Sequence, residues 1–283
     1  MNKILVTGVN GQLGSELRVL SKGHQQHTFF FTDVAQLDIT NHESVKVYLI
    51  ENKIDTIFNC AAYTAVDNAE DNFELSNKIN HLAVHNFAVL AKQLNLKLIH
   101  ISTDYVFDGE KNTPYDEEDT PNPKSVYGDT KLAGENAILK IAPKNTVIIR
   151  TSWVYSSFGN NFVKTMLRLS KDREVINVIA DQVGTPTYAK NLAEAILILH
   201  VNLENNIPDI VHYSNEGVCS WYDFAKAIFE LKAISIKLDT IESSDYPTKA
   251  KRPFYSVLNK SKIKSKYNVE VPYWRDSLKD CLT

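Results

Sequence analysis

Residues 3–17, Lys-Ile-Leu-Val-Thr-Gly-Val-Asn-Gly-Gln-Leu-Gly-Ser-Glu-Leu, constrain the fold of this chain more than any other stretch. A short apolar run reads as a strand buried in a parallel sheet. Glycines follow at 8, 11 and 14, and an amphipathic helix opens behind them. Glycine permits the tight turn and lets backbone N–H groups approach a pyrophosphate seated on the helix N-terminus. The spacing is G-x-x-G-x-x-G rather than G-x-G-x-x-G, so the flanking strand and helix carry as much of the reading as the glycines. A turn that merely collects glycine is the competing reading.

Strand and helix patterns then alternate, with strands at 28–32, 54–60, 96–102 and 146–150 and helices at 12–21, 43–51 and 74–94. This alternation predicts a Rossmann-like α/β fold, a doubly wound parallel sheet over residues 1–150. Residues 151–283 are expected to form a smaller α/β lobe mainly for substrate, with some segments returning to the first domain. Helices at 160–171, 188–200 and 220–231 fall in that half. Open sheets bind ligands beyond the carboxyl ends of their strands, so the ends at Gly8, Ala61 and Thr103 are expected to converge on one crevice. Asp33 closes the second strand, where an acidic residue meets a cofactor ribose. A carboxylate there favours NAD over NADP, unless Lys3, Lys22 or a cation not placed by the sequence offsets it.

Ser125–Glu135 sets Tyr127 and Lys131 four residues apart in a run with helical character, which puts them on one face, one turn apart. A free phenol titrates near pKa ~10 and is a poor acid or base at neutral pH. A lysine cation held close lowers that value and makes Tyr127 usable. A solvated helix face is the alternative.

With Ile99-His100-Ile101-Ser102-Thr103-Asp104-Tyr105-Val106-Phe107-Asp108-Gly109, these motifs resemble the extended branch of the short-chain dehydrogenase/reductase superfamily. Residues 102–109, 150–155, 159–169 and 181–187, with Lys251-Arg252-Pro253 and Ser256-Val257-Leu258-Asn259, are similar to the dTDP-4-dehydrorhamnose reductase family over most of the chain. The resemblance implies reduction of the C4 ketone of dTDP-4-dehydro-β-L-rhamnose to dTDP-L-rhamnose by NADPH or NADH, in nucleotide-sugar synthesis for cell-surface polysaccharide. It implies that Tyr127 protonates the developing alkoxide, that Thr103 hydrogen-bonds the carbonyl oxygen, and that Lys131 tunes Tyr127 and holds the nicotinamide ribose. Cofactor contacts are implied at Gly8, Asn10, Gly11, Gln12, Leu13, Gly14, Asp33, Asp38 and Ile39. The loop Ala61, Ala62, Tyr63 and Thr64 lines the nicotinamide side, joined by Tyr127 and Lys131. Substrate contacts are implied at Val66, Thr103, Asp104, Tyr127, Trp153 and Arg252, with Arg168 second to Arg252 for the diphosphate.

Several of these residues carry a second reading. Asp38 suits a cap on the helix at 43–51. Trp153 suits an ordinary core. Asn80 either supports a local backbone or water network or is a polar residue on a solvated face. A dehydratase resembling this chain places Asp-Glu after the Thr, whereas Asp104 is followed by Tyr105. A 4-epimerase, a reductase of other stereochemistry and a non-catalytic NADP-binding regulatory subunit remain as rivals. Some family members dimerise through magnesium held by glutamates. Glu16 matches one such position but Lys190 stands at another, so no metal is expected, and a monomer or a metal-free homodimer is left open. His81 and His85 share helical spacing without a third ligand.

The net charge of −3 argues against a nucleic-acid partner. No apolar run approaches the ~20 residues of a membrane span. Cys60, Cys219 and Cys281 lack metal spacing and read as reduced thiols of a cytoplasmic protein.

Overall fold

The computed structural model describes residues 2–283. Its centre is a sheet of six parallel strands. These are β1 (Lys3–Thr7), β2 (Thr28–Thr32), β3 (Thr56–Asn59), β4 (Lys97–Thr103), β5 (Thr146–Thr151) and a later strand. That later strand, β7 (Asp209–His212), follows β6 (Val175–Ile179) of a smaller lobe. The order across the sheet is β7-β5-β4-β3-β1-β2, so the chain winds outward in both directions from β1 and β3. Successive residues of β1 bury on opposite faces. Ile4 and Val6 join one core with Phe58, Ile99, Leu192 and Ile196, while Leu5 joins the other with Ile57, Val45, Leu49 and Phe87. A strand apolar on both faces needs helices on both, and the doubly wound α/β fold supplies them.

Helix α1 (Gln12–Leu20) follows β1, and α2 (His42–Glu51) packs on the opposite face. The helix expected over 74–94 is interrupted. Phe73–Asn77 leads through a π-turn at Lys78–Leu82 into α3 (Ala83–Leu94). A π-turn re-aims side chains within a helix, and here it turns Asn80 inward to 1 % exposure. Helix α4 (Val126–Ile141) is capped by Ser125, whose hydroxyl accepts from the Gly128 N–H at 3.2 Å. Its buried stripe includes Tyr127, Lys131, Gly134, Glu135 and Ile138, more polar than a packing face requires. Gly134 carries no Cβ, which would lie 2.3 Å from the Asn80 carbonyl oxygen, so α4 lies directly against the π-turn.

The smaller lobe contains α5 (Phe162–Asp172), β6, α7 (Trp221–Leu231), β8 (Lys237–Ile241) and α9 (Trp274–Leu282). Their core is Tyr155, Val163, Ile176, Val178, Phe224, Ile228 and Leu278. Between them, α6 (Ala189–Asn202) packs with α1 on the large sheet, β7 extends that sheet, and α8 (Ser261–Tyr267) lies against β7. The sequence reading has neither the parallel β6–β8 pair nor β7, α8 and α9. These short or edge elements carry weak periodicity of their own and depend on long-range pairing.

Candidate active site

A cleft of about 860 Å³ opens beyond the carboxyl ends of β1, β3 and β4. Gly8, Asn10, Gly11, Gln12, Leu13 and Gly14 line one end. Gly8 has φ +65°, and a Cβ there would lie 2.8 Å from Ala61 Cα. A Cβ on Gly14 would lie 2.4 Å from the Gly8 carbonyl oxygen. The N-cap residue Gly11 offers no side-chain cap, so the first N–H groups of α1 stay available for an anion. This cradle fits the pyrophosphate of a dinucleotide. Asp33 lines the same end, accepting from the Asn10 N–H at 3.0 Å and the Val34 N–H at 2.8 Å.

Neither lysine expected to offset Asp33 reaches it. Lys3 begins β1 at the amino end of the parallel strands, opposite the end where Asp33 lies, and donates to the Asn52 carbonyl, and Lys22 follows the C-terminal end of α1. A lysine of the π-turn, Lys78, lines the cleft and helps hold the Asp38 carboxyl below its usual range. The Thr40 hydroxyl is the larger cause of that depression, donating to Asp38 at 2.7 Å. Asp38 and Ile39 line the cleft, and the cap of α2 is Asn41, which accepts from the Ser44 N–H at 3.1 Å. The capping reading of Asp38 is therefore replaced by a local turn with Thr40.

Ala61, Ala62, Thr64 and Val66 also line the cleft; Tyr63 does not. Tyr63 is held by Asn80, which accepts from its N–H at 2.9 Å and donates to its carbonyl at 3.1 Å. Asn80 reaches the Thr130 hydroxyl of α4 at 3.3 Å as well, so it ties the loop to the helix that carries Tyr127. The network reading of Asn80 holds; the solvated reading does not.

Thr103, Tyr127 and Lys131 meet at the centre of the cleft. The Thr103 hydroxyl donates to Asp104 Oδ1 at 3.0 Å and accepts from the Tyr105 N–H at 3.2 Å. Lys131 is 1 % exposed, and its Nζ donates to the Ile101 carbonyl at 2.6 Å, with His100 Nε2 3.5 Å away. Behind His100 a buried chain of side chains runs through Asn59 (3.0 Å) to Thr7 (2.8 Å). One turn along α4, Glu135 receives Arg150 Nε at 3.0 Å and Nη2 at 2.7 Å, with the Ser102 hydroxyl donating to it too. This ion pair, almost wholly buried, rivets α4 to the ends of β4 and β5.

Burial dominates the electrostatics. It raises the Tyr127 phenol above its ordinary value, with the Thr103 hydroxyl acting in the opposite sense. Burial brings Lys131 down to about 8, against the opposing pull of Glu135. The sequence reading has Lys131 lowering the Tyr127 pKa. Here the Lys131 ammonium is turned to the Ile101 carbonyl and desolvation governs the phenol, which therefore stands protonated. Burial also pushes Asp104 up to about 7, and its Oδ2 has no partner.

Asp104 and Arg252 are not part of the lining. Asp104 lies behind Thr103. Arg252 donates to Asp67 Oδ2 at 2.6 Å and to the Tyr105 hydroxyl at 3.1 Å, and Tyr105 lines the cleft with its ring edge against Tyr127. Arg168 is exposed on α5, away from the lining. Trp153 lines the cleft and stacks on Trp221. Sequence reading misses Lys78, Tyr105 and Trp221, of which only Tyr105 has a local signal, its place beside Thr103. Glu16 is buried and accepts from the Ser156 hydroxyl at 2.6 Å, while Lys190 pairs with Asp280 at 2.8 Å. Among the described residues no group of three His, Cys, Asp or Glu is placed to hold a metal.

Residues 1–283 match the model of the family described as RmlD substrate binding domain. The chain is 39% identical to a dTDP-4-dehydrorhamnose reductase of Aggregatibacter actinomycetemcomitans, covering 99% of this chain and 98% of that one. A solved dTDP-4-dehydrorhamnose reductase from Clostridium acetobutylicum superposes with a TM-score of 0.94 at 42% identity, covering 99% of this chain and 98% of that one. Another from Bacillus anthracis, in complex with NADP, gives 0.93 at 38% identity, covering 99% of both chains.

Proposed function

This chain belongs to the RmlD substrate binding domain family, and on that premise we propose how its cleft performs the reduction its relatives are named for. It is an NAD(P)H-dependent oxidoreductase that reduces dTDP-4-dehydro-β-L-rhamnose at C4 to dTDP-L-rhamnose. The bound nicotinamide supplies the hydride; the protein supplies position, a proton and a field.

Each wall of the cleft has its own task. The N–H groups behind Gly11 meet the pyrophosphate, and Asp33, Asp38 and Ile39 flank the adenosine end. Lys131 holds the nicotinamide ribose, and Ala61, Ala62 and Thr64 border the nicotinamide. Thr103 donates to the ketone oxygen, and the protonated Tyr127 phenol delivers the proton as that oxygen gains charge. Without substrate the single Thr103 hydroxyl proton is donated to Asp104 Oδ1, and it turns from that carboxyl to the ketone oxygen when the sugar is bound. Val66, Trp153 and, through Tyr105, Arg252 bound the sugar nucleotide. The convergence of Thr103, Tyr127 and Lys131 on the cleft that the glycine turn opens into is the observation that carries this reading.

The free thiols at Cys60, Cys219 and Cys281 support a cytoplasmic location. Among the described residues no helix is long and apolar enough to cross a membrane. The deciding experiment incubates the enzyme with dTDP-4-keto-6-deoxysugar and NADPH or NADH, follows oxidation, and identifies the product by NMR. Stoichiometric oxidation with dTDP-L-rhamnose as product is expected. Oxidation giving another C4 epimer, or none, rejects the reading.

A further inference from the structure

Trp153 reaches the cleft from an unusual backbone. Its φ is +48°, a left-handed conformation that a bulky side chain keeps only when its surroundings over-determine it. Its carbonyl accepts from the Thr187 N–H at 3.1 Å, which pins the peptide. Its indole lies face to face with Trp221, ring centroids 3.6 Å apart and planes 10° from parallel. Phe162 packs beside Trp221 at 4.7 Å between centroids.

Gly184 provides a second constraint. A Cβ there would lie 2.6 Å from Cε2 and 2.8 Å from Cζ2 of the Trp153 indole, so only glycine leaves the ring its present place. The two constraints are physically joined. Val183–Gly184 pairs antiparallel with Cys219–Ser220, and Ser220 caps α7, whose first residue is Trp221. One short ribbon thus presents a flat aromatic ring and a bare backbone to the same indole. Trp153 lines the cleft, whereas neither Gly184 nor Trp221 does.

We infer that Trp221 and Gly184 are positioning residues that fix the plane of the Trp153 indole as the apolar wall for the sugar ring. This rests on the sugar contact assigned to Trp153 in the proposed function. A 6-deoxysugar carries a methyl group where an ordinary hexose carries a hydroxymethyl, so a fixed apolar plane suits it. A ring free to turn has to be ordered when substrate arrives, whereas a ring already stacked does not, and the gain appears in substrate affinity. The chemistry at C4 depends on Tyr127 and Thr103 and is untouched.

The test is steady-state kinetics on the full-length enzyme with Trp221→Ala, Trp221→Phe, Gly184→Ala and Trp153→Ala, together with NADPH binding and far-UV circular dichroism. Trp221→Ala raises KM for the sugar nucleotide about tenfold, the worth of a well-placed aromatic pair, with kcat and NADPH affinity kept within about twofold. Trp221→Phe restores most of the KM, and Gly184→Ala raises it in the same direction. The exciton couplet of the stacked indoles disappears in Trp221→Phe and Trp153→Ala alike. A wild-type KM in Trp221→Ala overturns the inference, as does an equal loss of NADPH affinity, which would mark a general structural role. A couplet that survives Trp221→Phe overturns it without any substrate. If Trp153→Ala raises KM while Trp221→Ala does not, the inference alone fails. If Trp153→Ala keeps a wild-type KM, the sugar contact falls first. If the wild-type enzyme does not reduce the keto-sugar, the proposed function falls while the couplet still reports on the stack.

Discussion

The two walls of the cleft are built in opposite ways. The pyrophosphate end of the cleft is made of one continuous stretch, β1 to α1, in which backbone N–H groups and missing side chains form the surface. The wall proposed for the substrate is backed by segments far apart in the chain: behind Trp153, which follows β5, stand Gly184 from a two-residue strand and Trp221 at the head of α7, and behind Tyr105 stands Arg252 from a late loop. A backbone surface is specified by where side chains are forbidden, and tolerates almost nothing. A side-chain surface is specified by neighbours, and yields by degrees.

The residue between the walls belongs to neither and gives the largest expected effect. Tyr127→Phe keeps the ring and its edge contact with Tyr105 but removes the proton donor. A fall in kcat of about 10²–10⁴-fold is expected, with NADPH and sugar-nucleotide binding unchanged. A near-wild-type kcat would remove Tyr127 from the chemistry.

The pH dependence of the same region separates its two buried charges. Burial raises Asp104 from 3.8 to about 7. Between those values the folded state holds a proton that the unfolded chain has lost, so this group's contribution to stability is full below about pH 4 and declines as pH rises to 7. Lys131 is lowered from 10.5 to about 8, so between 8 and 10.5 the unfolded chain holds the extra proton and stability recovers as pH rises. Both groups are charged near pH 7–8, where their combined cost peaks. Asp104→Asn removes the acid limb, so its stability relative to wild type should rise between pH 4 and 7, by at most about 4 kcal/mol. A constant difference, read from denaturant midpoints across that range, would place Asp104 at an ordinary pKa.

On the cofactor wall, Gly14→Ala forces a Cβ onto the Gly8 carbonyl and Val9 Cα, both backbone, so no side chain can move aside. Overpacking of this kind costs about 1–3 kcal/mol, which predicts a rise of about 5- to 140-fold in NADPH Kd on the scale of ~1.4 kcal/mol per decade. Titration of NADPH fluorescence checks it. A rise in KM for the sugar nucleotide with NADPH Kd unchanged would show that the two walls are not separable.

The same difference explains what could be read from the chain alone. The glycine turn, Thr103 and the Tyr127–Lys131 spacing are local patterns, and all lie on the cleft. Buried strands of unbroken apolar character announced the sheet. Trp221, Lys78 and the Glu135–Arg150 pair carry no local mark, because their roles arise only when distant segments meet. The Asn41 cap and the π-turn at Lys78–Leu82 are local yet not legible, since Asp38 and Asn41 are equally good caps by type and helical periodicity barely registers one added residue. The effect of Lys131 on Tyr127 was misjudged because spacing along a helix gives the shared face but not the depth of burial.

Arg252 on the substrate wall tests the contrast at its finest. Its guanidinium bridges Asp67 and the Tyr105 hydroxyl, with the side chains of Arg252 and Asp67 about a third exposed at 29% and 37%. An ion pair that open to solvent contributes at most about 1 kcal/mol, so as a tether it is worth no more than about fivefold in KM. If Arg252 also meets the diphosphate, the two ends of the pair behave differently. Arg252→Lys loses the forked geometry and raises KM for the sugar nucleotide by about fivefold. Asp67→Asn releases the guanidinium toward the ligand and leaves KM at or below wild type. Equal increases in the two variants would reduce Arg252 to a clip that holds its loop against residues 65–71, and the diphosphate would then need another cation.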